Sequence, residues 1–314
     1  MEYTIYPLKD TTRFDELCAL FATGLADTTP EYWKWKHYSE NGMPEGTILV
    51  AEDENGILAG MFALQPEFFV CGDERLLLVQ TEDLVIDPRY RGTGLMKKLY
   101  LFAEEYFAAK GADGFIAFTN DNSYPIFLKY GAKDMGDVFS LNTPQSPFPF
   151  YAARKKVRAN CWEIEITEEM PSDLIFLTDE QSYKLEKTSP FMQWKFADNP
   201  EYSFRWLTIR ENKQLRGYMV FHVNAGRIRR AVNIYDWELH ENIPDFILQK
   251  AIRLLHTHGN WVSLFGRYTD AILQRWQRAG LCKTSKQGAH FLLYAFGEST
   301  LPDAWHITRA NLDY

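Results

Sequence analysis

Hydrophobic positions along the first half of the chain switch repeatedly between the period of a strand and the period of a helix. A short helix begins with Pro30, because proline suits the first helical position. A longer helix follows Gly94 and ends before Gly111, which suits a helix end. The spacing predicts, in order, strand 3–8, helix 12–21, helix 30–35, strands 48–52, 57–70 and 76–86, a helix from residue 95, strand 114–118 and helix 124–130.

The second half of the chain repeats the first in outline. Three pairs of residues follow one another in the same order at near-constant spacing: Trp35 and Trp194, Gly60 and Gly217, and Gly131 and Gly280. An ordered repeat of this kind predicts two copies of one fold. The second copy is shorter between its hairpin and its final helix, where residues 240–245 contain no glycine.

The length of the chain agrees with two domains. At about 150 residues per domain, 314 residues correspond to two domains of ordinary size. Pro144, Pro147 and Pro149 interrupt regular structure between the two copies. We therefore predict a first domain at residues 1–141, a linker at residues 142–154 and a second, degenerate domain at residues 155–314.

Composition and charge exclude several classes of protein. The chain has 34 basic and 42 acidic residues, a formal net charge of -8, so we expect no nucleic-acid partner and no membrane association. With 46% hydrophobic and 24% charged residues it has the composition of a folded globular protein. The four cysteines form no C-x-x-C pair and no export signal is visible, so we expect a cytoplasmic protein without disulfides or a metal site.

One stretch of sequence carries candidate chemistry, the turn with Gly92 and Gly94 between a strand and an amphipathic helix. Backbone N–H groups at a helix start have no intrahelical partner and lie at the positive end of the helix dipole, so they can bind a diphosphate. Glycine allows the backbone to approach such a ligand closely. Taken alone, this Gly-x-Gly pattern is equally compatible with a tight turn.

Two motifs in the first half resemble those of a known superfamily. Arg89-x-x-Gly92-x-Gly94 resembles the acetyl-CoA pyrophosphate loop, Gln/Arg-x-x-Gly-x-Gly/Ala, of the GNAT (Gcn5-related N-acetyltransferase) superfamily. Residues 120–132 resemble its Asn-x-x-Ala/Ser-x-x-x-Tyr-x-x-x-Gly-Phe segment. The resemblance is specific over about residues 1–141 and covers residues 155–296 in outline. It implies an α/β protein with two tandem GNAT-like domains, each a mixed, largely antiparallel sheet flanked by helices.

The resemblance also implies how acetyl-CoA is bound. The diphosphate would lie against the backbone of the glycine loop, with charge added by Arg89 and Arg91. The pantetheine arm would bond to a splayed strand edge, and Asn120 would hold the arm or position the thiol. The implied cofactor-binding residues are Leu84, Val85, Ile86, Arg89, Arg91, Gly92, Thr93, Gly94, Leu95, Asn120 and Phe127.

Phe127 is a departure from the superfamily's pattern, because a tyrosine that protonates the leaving thiolate often stands at this position. A phenyl ring cannot donate that proton. Tyr124, Tyr130, water or the cofactor's own equilibrium must serve instead. We take Tyr124 as the catalytic candidate.

An amine acceptor also needs a general base, because it must lose a proton before it attacks a thioester. Glu82 and Asp83 lie on the strand beside the expected reaction centre, and the two-residue period of a strand predicts that they point to opposite faces. Glu82 is slightly favoured because its parity matches Leu84 and Ile86. A solvated or salt-bridged carboxylate is an equally good interpretation of either residue.

The sequence is thus interpreted as an N-acyltransferase (EC 2.3.1.-) that transfers an acetyl group from acetyl-CoA to a small-molecule or peptide amine. The first alternative is a non-enzymatic acyl-CoA-binding or regulatory protein, which Phe127 favours. The second is a protein similar to aminoacyl-tRNA-dependent peptidoglycan transferases, against which the intact loop and the acidic net charge count. The sequence indicates neither the acceptor, the acyl length nor the oligomeric state.

Overall fold

The computed structural model of this protein describes residues 2–9, 12–25, 28–38, 41, 43–144, 153–226 and 230–311. In the first half the elements are β1 (Thr4–Pro7), α1 (Phe14–Ala22), α2 (Pro30–Tyr38), β2 (Thr47–Glu52), β3 (Leu58–Cys71), β4 (Glu74–Ile86), α3 (Leu95–Ala108), β5 (Gly114–Thr119), α4 (Tyr124–Lys129) and β6 (Lys133–Asn142). A 3-10 turn, Pro88–Tyr90, lies between β4 and α3. The predicted order of elements is confirmed, and β6 is an addition that the sequence analysis did not predict.

The second half continues with a similar succession of elements. They are β7 (Lys156–Ala159), β8 (Trp162–Thr167), β9 (Tyr183–Leu185), α5 (Ser189–Met192), β10 (Arg205–Glu211), β11 (Gln214–Ala225), β12 (Arg230–Leu239), α6 (Asp245–Leu255), β13 (Trp261–Arg267), α7 (Asp270–Arg278), β14 (Cys282–Ala295) and β15 (Trp305–Thr308). A π-helical turn, Gln193–Ala197, continues α5. A 3-10 turn, Arg309–Asn311, follows β15. Among the helices of the described residues, none is long and apolar enough to cross a membrane.

The chain divides into two compact units. The first unit consists of Met1–Phe69, Glu74–Met135 and His290–Leu301, and the second of Val70–Asp73, Gly136–Ala289 and Pro302–Tyr314.

The first unit is built on a mixed, largely antiparallel sheet. Its strands lie in the order β1, β2, β3, β4, β5 and the part of β14 from His290 onward. The pair β4 and β5 is parallel, and α3 connects its two strands. Helix α3 buries Leu95, Leu99 and Ala103 in the core on one face of the sheet, while Leu17 of α1 belongs to the core on the other.

The second unit repeats this arrangement. Strands β7, β8, β10, β11 and β12 pair antiparallel in that order, β12 and β13 are parallel, and α6 connects them. The part of β6 within this unit pairs antiparallel with β13. Helix α6 buries Ile247, Leu248 and Ala251 in the core. The predicted duplication and the tandem α/β fold class are therefore confirmed.

The two hairpin glycines occupy equivalent places in the two units. A Cβ atom on Gly60 would lie 2.7 Å from Ile86 Cδ1, at the end of β4. A Cβ atom on Gly217 would lie 2.8 Å from Leu239 Cδ2, at the end of β12. A side chain at either position would force these neighbouring side chains to move, and at Gly217 its Cβ atom would also lie 2.8 Å from the backbone oxygen of Glu238.

The units differ from the predicted boundaries in two places. Gly136 onward belongs to the second unit although it lies within predicted domain 1–141, and His290–Leu301 belongs to the first. The cause is strand pairing, since each of these segments completes a sheet with strands distant in sequence. The periodicity of hydrophobic residues along the chain does not reveal strand partners that are distant in sequence. Of the predicted linker at 142–154, residues 145–152 lie outside the described residues.

Candidate active site

The loop between β4 and α3 has the backbone geometry that its two glycines predict. Asp87 accepts a hydrogen bond from the Arg89 backbone N–H at 2.8 Å, which begins the 3-10 turn. Gly92 and Gly94 then have φ angles of +77° and +79°, in the left-handed region that favours glycine. A Cβ atom at either position would meet nothing within 4 Å. The protein itself leaves the space beside this backbone open.

Helix α3 directs its N-terminus at this loop. Its N-cap, Gly94, makes no side-chain capping hydrogen bond, and its first turn holds no acidic residue. The N–H groups of Leu95, Met96 and Lys97 therefore have no acceptor within the helix, and the helix dipole adds partial positive charge. These groups suit a phosphate-bearing ligand.

The two arginines of the loop have different contacts. Arg89 donates from Nε and Nη2 to the two carboxylate oxygens of Asp87, at 3.0 and 2.8 Å. This pairing holds the pKa of Asp87 below its usual range. Arg91 donates from Nε to the carbonyl oxygen of Ile86 at 3.1 Å. Arg89 thus shapes the turn, and its guanidinium is already matched by a carboxylate.

Strands β4 and β5 separate beside the loop. Their parallel pairing covers residues 78–81, although β4 continues to Ile86 and β5 to Thr119. On its other side, β5 remains paired up to Thr119, opposite His290. The last residues of β4 therefore present a backbone edge toward the gap.

A cavity of about 670 Å³, here called the first cavity, extends from the loop along this edge. This volume is ordinary for a small-molecule or cofactor site. The predicted site residues that line it are Glu82, Asp83, Leu84, Val85, Ile86, Arg91, Gly92, Gly94, Leu95, Asn120 and Phe127. Three predicted residues, Arg89, Thr93 and Tyr124, are absent from its lining.

The side chains of both candidate bases contact the same lysine. Lys36 Nζ, from α2, lies 2.9 Å from Asp83 Oδ2 and 3.4 Å from Glu82 Oε2. His37 Nε2 lies 3.7 Å from the same Glu82 oxygen. The Glu82 side chain is 4% exposed and that of Asp83 14%. The carboxylates are thus a buried, charge-paired cluster at one part of the first cavity, which differs from the expectation of opposite faces.

A change of parity along β4 explains this arrangement. Leu77 and Val79 pack in the same core as Leu84 and Ile86, whereas Val85 packs in the core on the other face. Odd-numbered residues before Glu82 and even-numbered residues after it therefore share a face. One extra residue lies between them, as in a β-bulge. The parity argument that favoured Glu82 does not extend across this point.

The catalytic candidate of α4, Tyr124, is not placed at the cavity as the sequence analysis expects. The Tyr124 hydroxyl donates to Asp134 Oδ2 at 2.6 Å. Phe127 is buried and lies edge-on to Tyr100, with ring centroids 6.1 Å apart. Tyr130 stacks on Tyr100 at 4.9 Å and lines the first cavity. Tyr130 is therefore the tyrosine of this helix region that the structure brings to the cavity.

Asn120 orders the turn before α4. Its side-chain Oδ1 accepts hydrogen bonds from the backbone N–H groups of Asn122 and Ser123, at 3.0 and 3.1 Å. The residue also lines the first cavity. Its expected contact with a ligand remains a prediction.

Sequence reasoning did not select Lys36, Lys97, Gly24 or Leu25 as site residues. Lys36 was visible as half of the Trp-Lys pair that recurs at Trp194, but nothing in its spacing indicates that α2 lies beside β4. Within the described ranges, no three His, Cys, Asp or Glu side chains are grouped to hold a metal ion.

The sequence carries a family signature over its first half. Residues 14–132 match the model of the Acetyltransferase (GNAT) family. This stretch includes the loop, the residues of the carboxylate cluster and every residue that lines the first cavity. No curated protein matches the chain.

Solved structures share the fold at low sequence identity. A GCN5-related N-acetyltransferase from Anabaena variabilis ATCC 29413 is 14% identical with a TM-score of 0.66, covering 94% of this chain and 73% of that one. A probable N-acyltransferase of unknown function from Enterococcus faecalis V583 is 11% identical with a TM-score of 0.69 and the same coverage. A tandem GNAT protein from the clavulanic acid biosynthesis pathway is 13% identical with a TM-score of 0.61, covering 95% and 100%.

Proposed function

We propose that this chain, which belongs to the GNAT superfamily and is of the tandem type, transfers an acetyl group from acetyl-CoA to an amine acceptor. The observation that carries the proposal is the continuity of the first cavity. It joins the glycine loop at the start of α3, the open edge of β4 and the buried carboxylates of Glu82 and Asp83. Diphosphate binding, pantetheine binding and proton acceptance therefore have one continuous site.

The residues of the first cavity fit acetyl-CoA. The open backbone of Gly92 and Gly94 and the N–H groups at the start of α3 would hold the diphosphate. The edge of β4 at residues 84–86 would bond to the amides of the pantetheine arm. When bound, acetyl-CoA supplies an acetyl thioester as the acyl donor.

The carboxylate cluster supports an amine acceptor. Glu82 is the proposed base, since Asp83 is tied more closely to Lys36, by a hydrogen bond of 2.9 Å. A carboxylate engaged in a short charge-assisted bond is a weaker proton acceptor. Glu82 would accept the proton of the acceptor ammonium, directly or through water. The hydroxyl of Tyr130 would then supply the proton that the sulfur of the leaving thiol requires.

A second candidate function is acyl-CoA binding without catalysis. It is favoured by Phe127, which stands where the superfamily often has its proton-donating tyrosine, and by the engagement of the Tyr124 hydroxyl with Asp134. A protein that only binds an acyl-CoA needs the loop and the strand edge but no acid. The transferase therefore requires a proton donor in the first cavity, whereas the binding protein does not.

Release of thiol from acetyl-CoA separates the two functions. The full chain is incubated with acetyl-CoA and a panel of monoamines, polyamines, aminoglycosides and peptides, and the released thiol is measured. Amine-dependent release that matches acetylated product in amount supports the transferase. Saturable binding of acetyl-CoA without release for any member of the panel supports the binding protein. Transfer from aminoacyl-tRNA in the same assay would contradict both.

A further inference from the structure

A second cavity, of about 590 Å³, lies within the second unit. It is lined by the end of β12, the start of α6 and helix α7, which are the counterparts of the end of β4, the start of α3 and helix α4 around the first cavity. Residues 177–181 and strand β15 complete its wall. The duplicated fold therefore has a cavity at the same place in each copy.

The second cavity lacks the features that suit a diphosphate. Arg275, from α7, donates from its Nη atoms to the carbonyl oxygens of Leu239, His240 and Ile243, at 3.4, 2.8 and 3.1 Å. The guanidinium thus donates hydrogen bonds to the carbonyl groups of the segment that stands in place of the glycine loop. Asp245 stands in the first turn of α6, where a phosphate would meet a negative charge.

Two lining residues of the second cavity, Lys184 and Glu238, belong to a buried set of ion pairs that also includes Lys187 and Asp236. Lys184 Nζ lies 3.0 Å from both carboxylate oxygens of Glu238, and Lys187 Nζ lies 2.8 Å from Glu238 and 2.9 Å from Asp236. All four side chains are buried. The two lysines and the two carboxylates balance in charge. The charge preferred in a ligand is therefore determined by the other residues that line the cavity.

His306 is a buried polar group on the wall that has no hydrogen-bond partner among the residues the structure describes. It is 7% exposed, lines the second cavity, and its ring lies 4.9 Å from that of Trp237. Burial, together with the charges of Lys187 and Lys184, lowers its pKa well below the ordinary value. A neutral imidazole offers one donor and one acceptor. A ligand with a polar atom in the second cavity can therefore hydrogen-bond to this ring.

The lining of the second cavity is negative in sum. Its lining carries Asp179, Glu180, Glu238, Glu241 and Asp245 against Lys184, Arg275 and Arg278. Arg278 pairs with Asp245 at 2.6 Å. Glu180 and Glu241 are exposed, and within the described part of the chain neither has an ion pair. Acidic side chains thus outnumber basic ones on this lining, which favours a cationic ligand.

We propose that the second cavity binds a small organic amine that also carries a hydroxyl or similar polar group. The ammonium group meets the exposed carboxylates of Glu180 and Glu241, the carbon chain lies along Trp237, and the polar group hydrogen-bonds to the imidazole of His306. The site is separate from the proposed acetyl-CoA site and does not depend on it.

Three probes of one length test the proposal: aminohexanol, hexanediol, which lacks the charge, and hexylamine, which lacks the hydroxyl. Each is titrated into the full chain while the indole N–H NMR signal of Trp237 is followed. We expect aminohexanol to bind about tenfold more tightly than either of the other two. In His306→Phe, aminohexanol should no longer bind more tightly than hexylamine. In the double variant Glu180→Gln, Glu241→Gln, aminohexanol should no longer bind more tightly than hexanediol.

The double variant Glu169→Gln, Glu201→Gln is the matched control, because both residues are exposed and absent from the cavity lining. It should bind aminohexanol as the unaltered chain does. No saturable change at Trp237, equal affinities for the three probes, or loss of the Trp237 response in Asp83→Asn instead would overturn the proposal. A second molecule of CoA bound at this cavity would also overturn it.

Discussion

The ammonium group of Lys36 lies 2.9 Å from a carboxylate oxygen of Asp83, in a buried pair at the edge of the first cavity. A buried charge pair of this kind holds both groups ionised and in place. The neighbouring Glu82 lies 3.4 Å from the same ammonium, farther from it than Asp83. Lys36 therefore contacts both candidate bases.

Removal of the proposed base should lower the rate without affecting the binding of acetyl-CoA. We expect Glu82→Gln to reduce kcat/KM by roughly 10²-fold and to flatten the acidic limb of the pH profile. Asp83→Asn should retain that limb, because Asp83 is engaged by Lys36. The pH dependence of kcat/KM with a competent amine checks both. Near-normal profiles in both variants would show that β4 supplies no base.

Removal of the lysine should shift the pH profile and leave its shape. In Lys36→Met the base loses a neighbouring positive charge that favours its ionised form, so the acidic limb should move to higher pH. Lys36→Arg should keep the limb in place. Lys195→Met is the matched control, since Lys195 is equally buried and follows the corresponding tryptophan in the second unit. An unmoved limb in a folded Lys36→Met variant would exclude this role.

The proton donor should be Tyr130 rather than Tyr124. Tyr130 lines the first cavity, whereas the Tyr124 hydroxyl is bonded to Asp134 outside the lining. We expect Tyr130→Phe to lower kcat by about 10²-fold and Tyr124→Phe to change it little. Adding Phe127→Tyr to the Tyr130→Phe variant should restore part of the rate. An unchanged kcat in Tyr130→Phe would assign the proton to water or to the thiol's own equilibrium.

The second unit should lose stability on acidification. The pKa of His306 is lowered in the folded chain, first by burial and then by Lys187 and Lys184. The unfolded chain therefore binds the proton more readily, and the stabilising contribution, full above about pH 6.5, is lost as the pH falls. Denaturant unfolding between about pH 7 and 5 should show a steeper loss for the unaltered chain than for His306→Phe. Parallel pH dependences in the two would contradict this.

Much of the fold and part of the site follow from the sequence. Local signals suffice for the elements around Gly92 and Gly94, because the strand period, the glycines and the helix period all agree. The repeat of Gly60 at Gly217 was likewise visible and marks the same close strand contact in both units. These features depend on neighbouring residues.

The features that the sequence did not reveal are those set by distant partners. The pairing of β14 with β5 moves His290–Leu301 into the first unit, and no local period encodes it. The parity change in β4 lies within a continuous strand, so counting by twos misplaced Glu82 relative to Asp83. Lys36 reaches both carboxylates because α2 lies beside β4. The spacing of residues along the sequence does not predict this tertiary contact.

The glycine loop offers a control that matches its backbone strain. Gly92 and Gly56 share a φ of +77°, and a Cβ atom on either would meet nothing within 4 Å. An aspartate at either position therefore has the same conformational cost, of about 1–2 kcal/mol. Gly56 lies in the turn between β2 and β3, away from the lining of the first cavity.

Calorimetric titration of acetyl-CoA into the unaltered chain, Gly92→Asp and Gly56→Asp tests the central claim most directly. We expect one acetyl-CoA per chain for the unaltered protein and for Gly56→Asp, and no measurable binding for Gly92→Asp with an unchanged circular dichroism spectrum. The added carboxylate would fill the diphosphate position and repel it. Undiminished affinity in a folded Gly92→Asp variant, or two molecules bound per chain, would contradict the account.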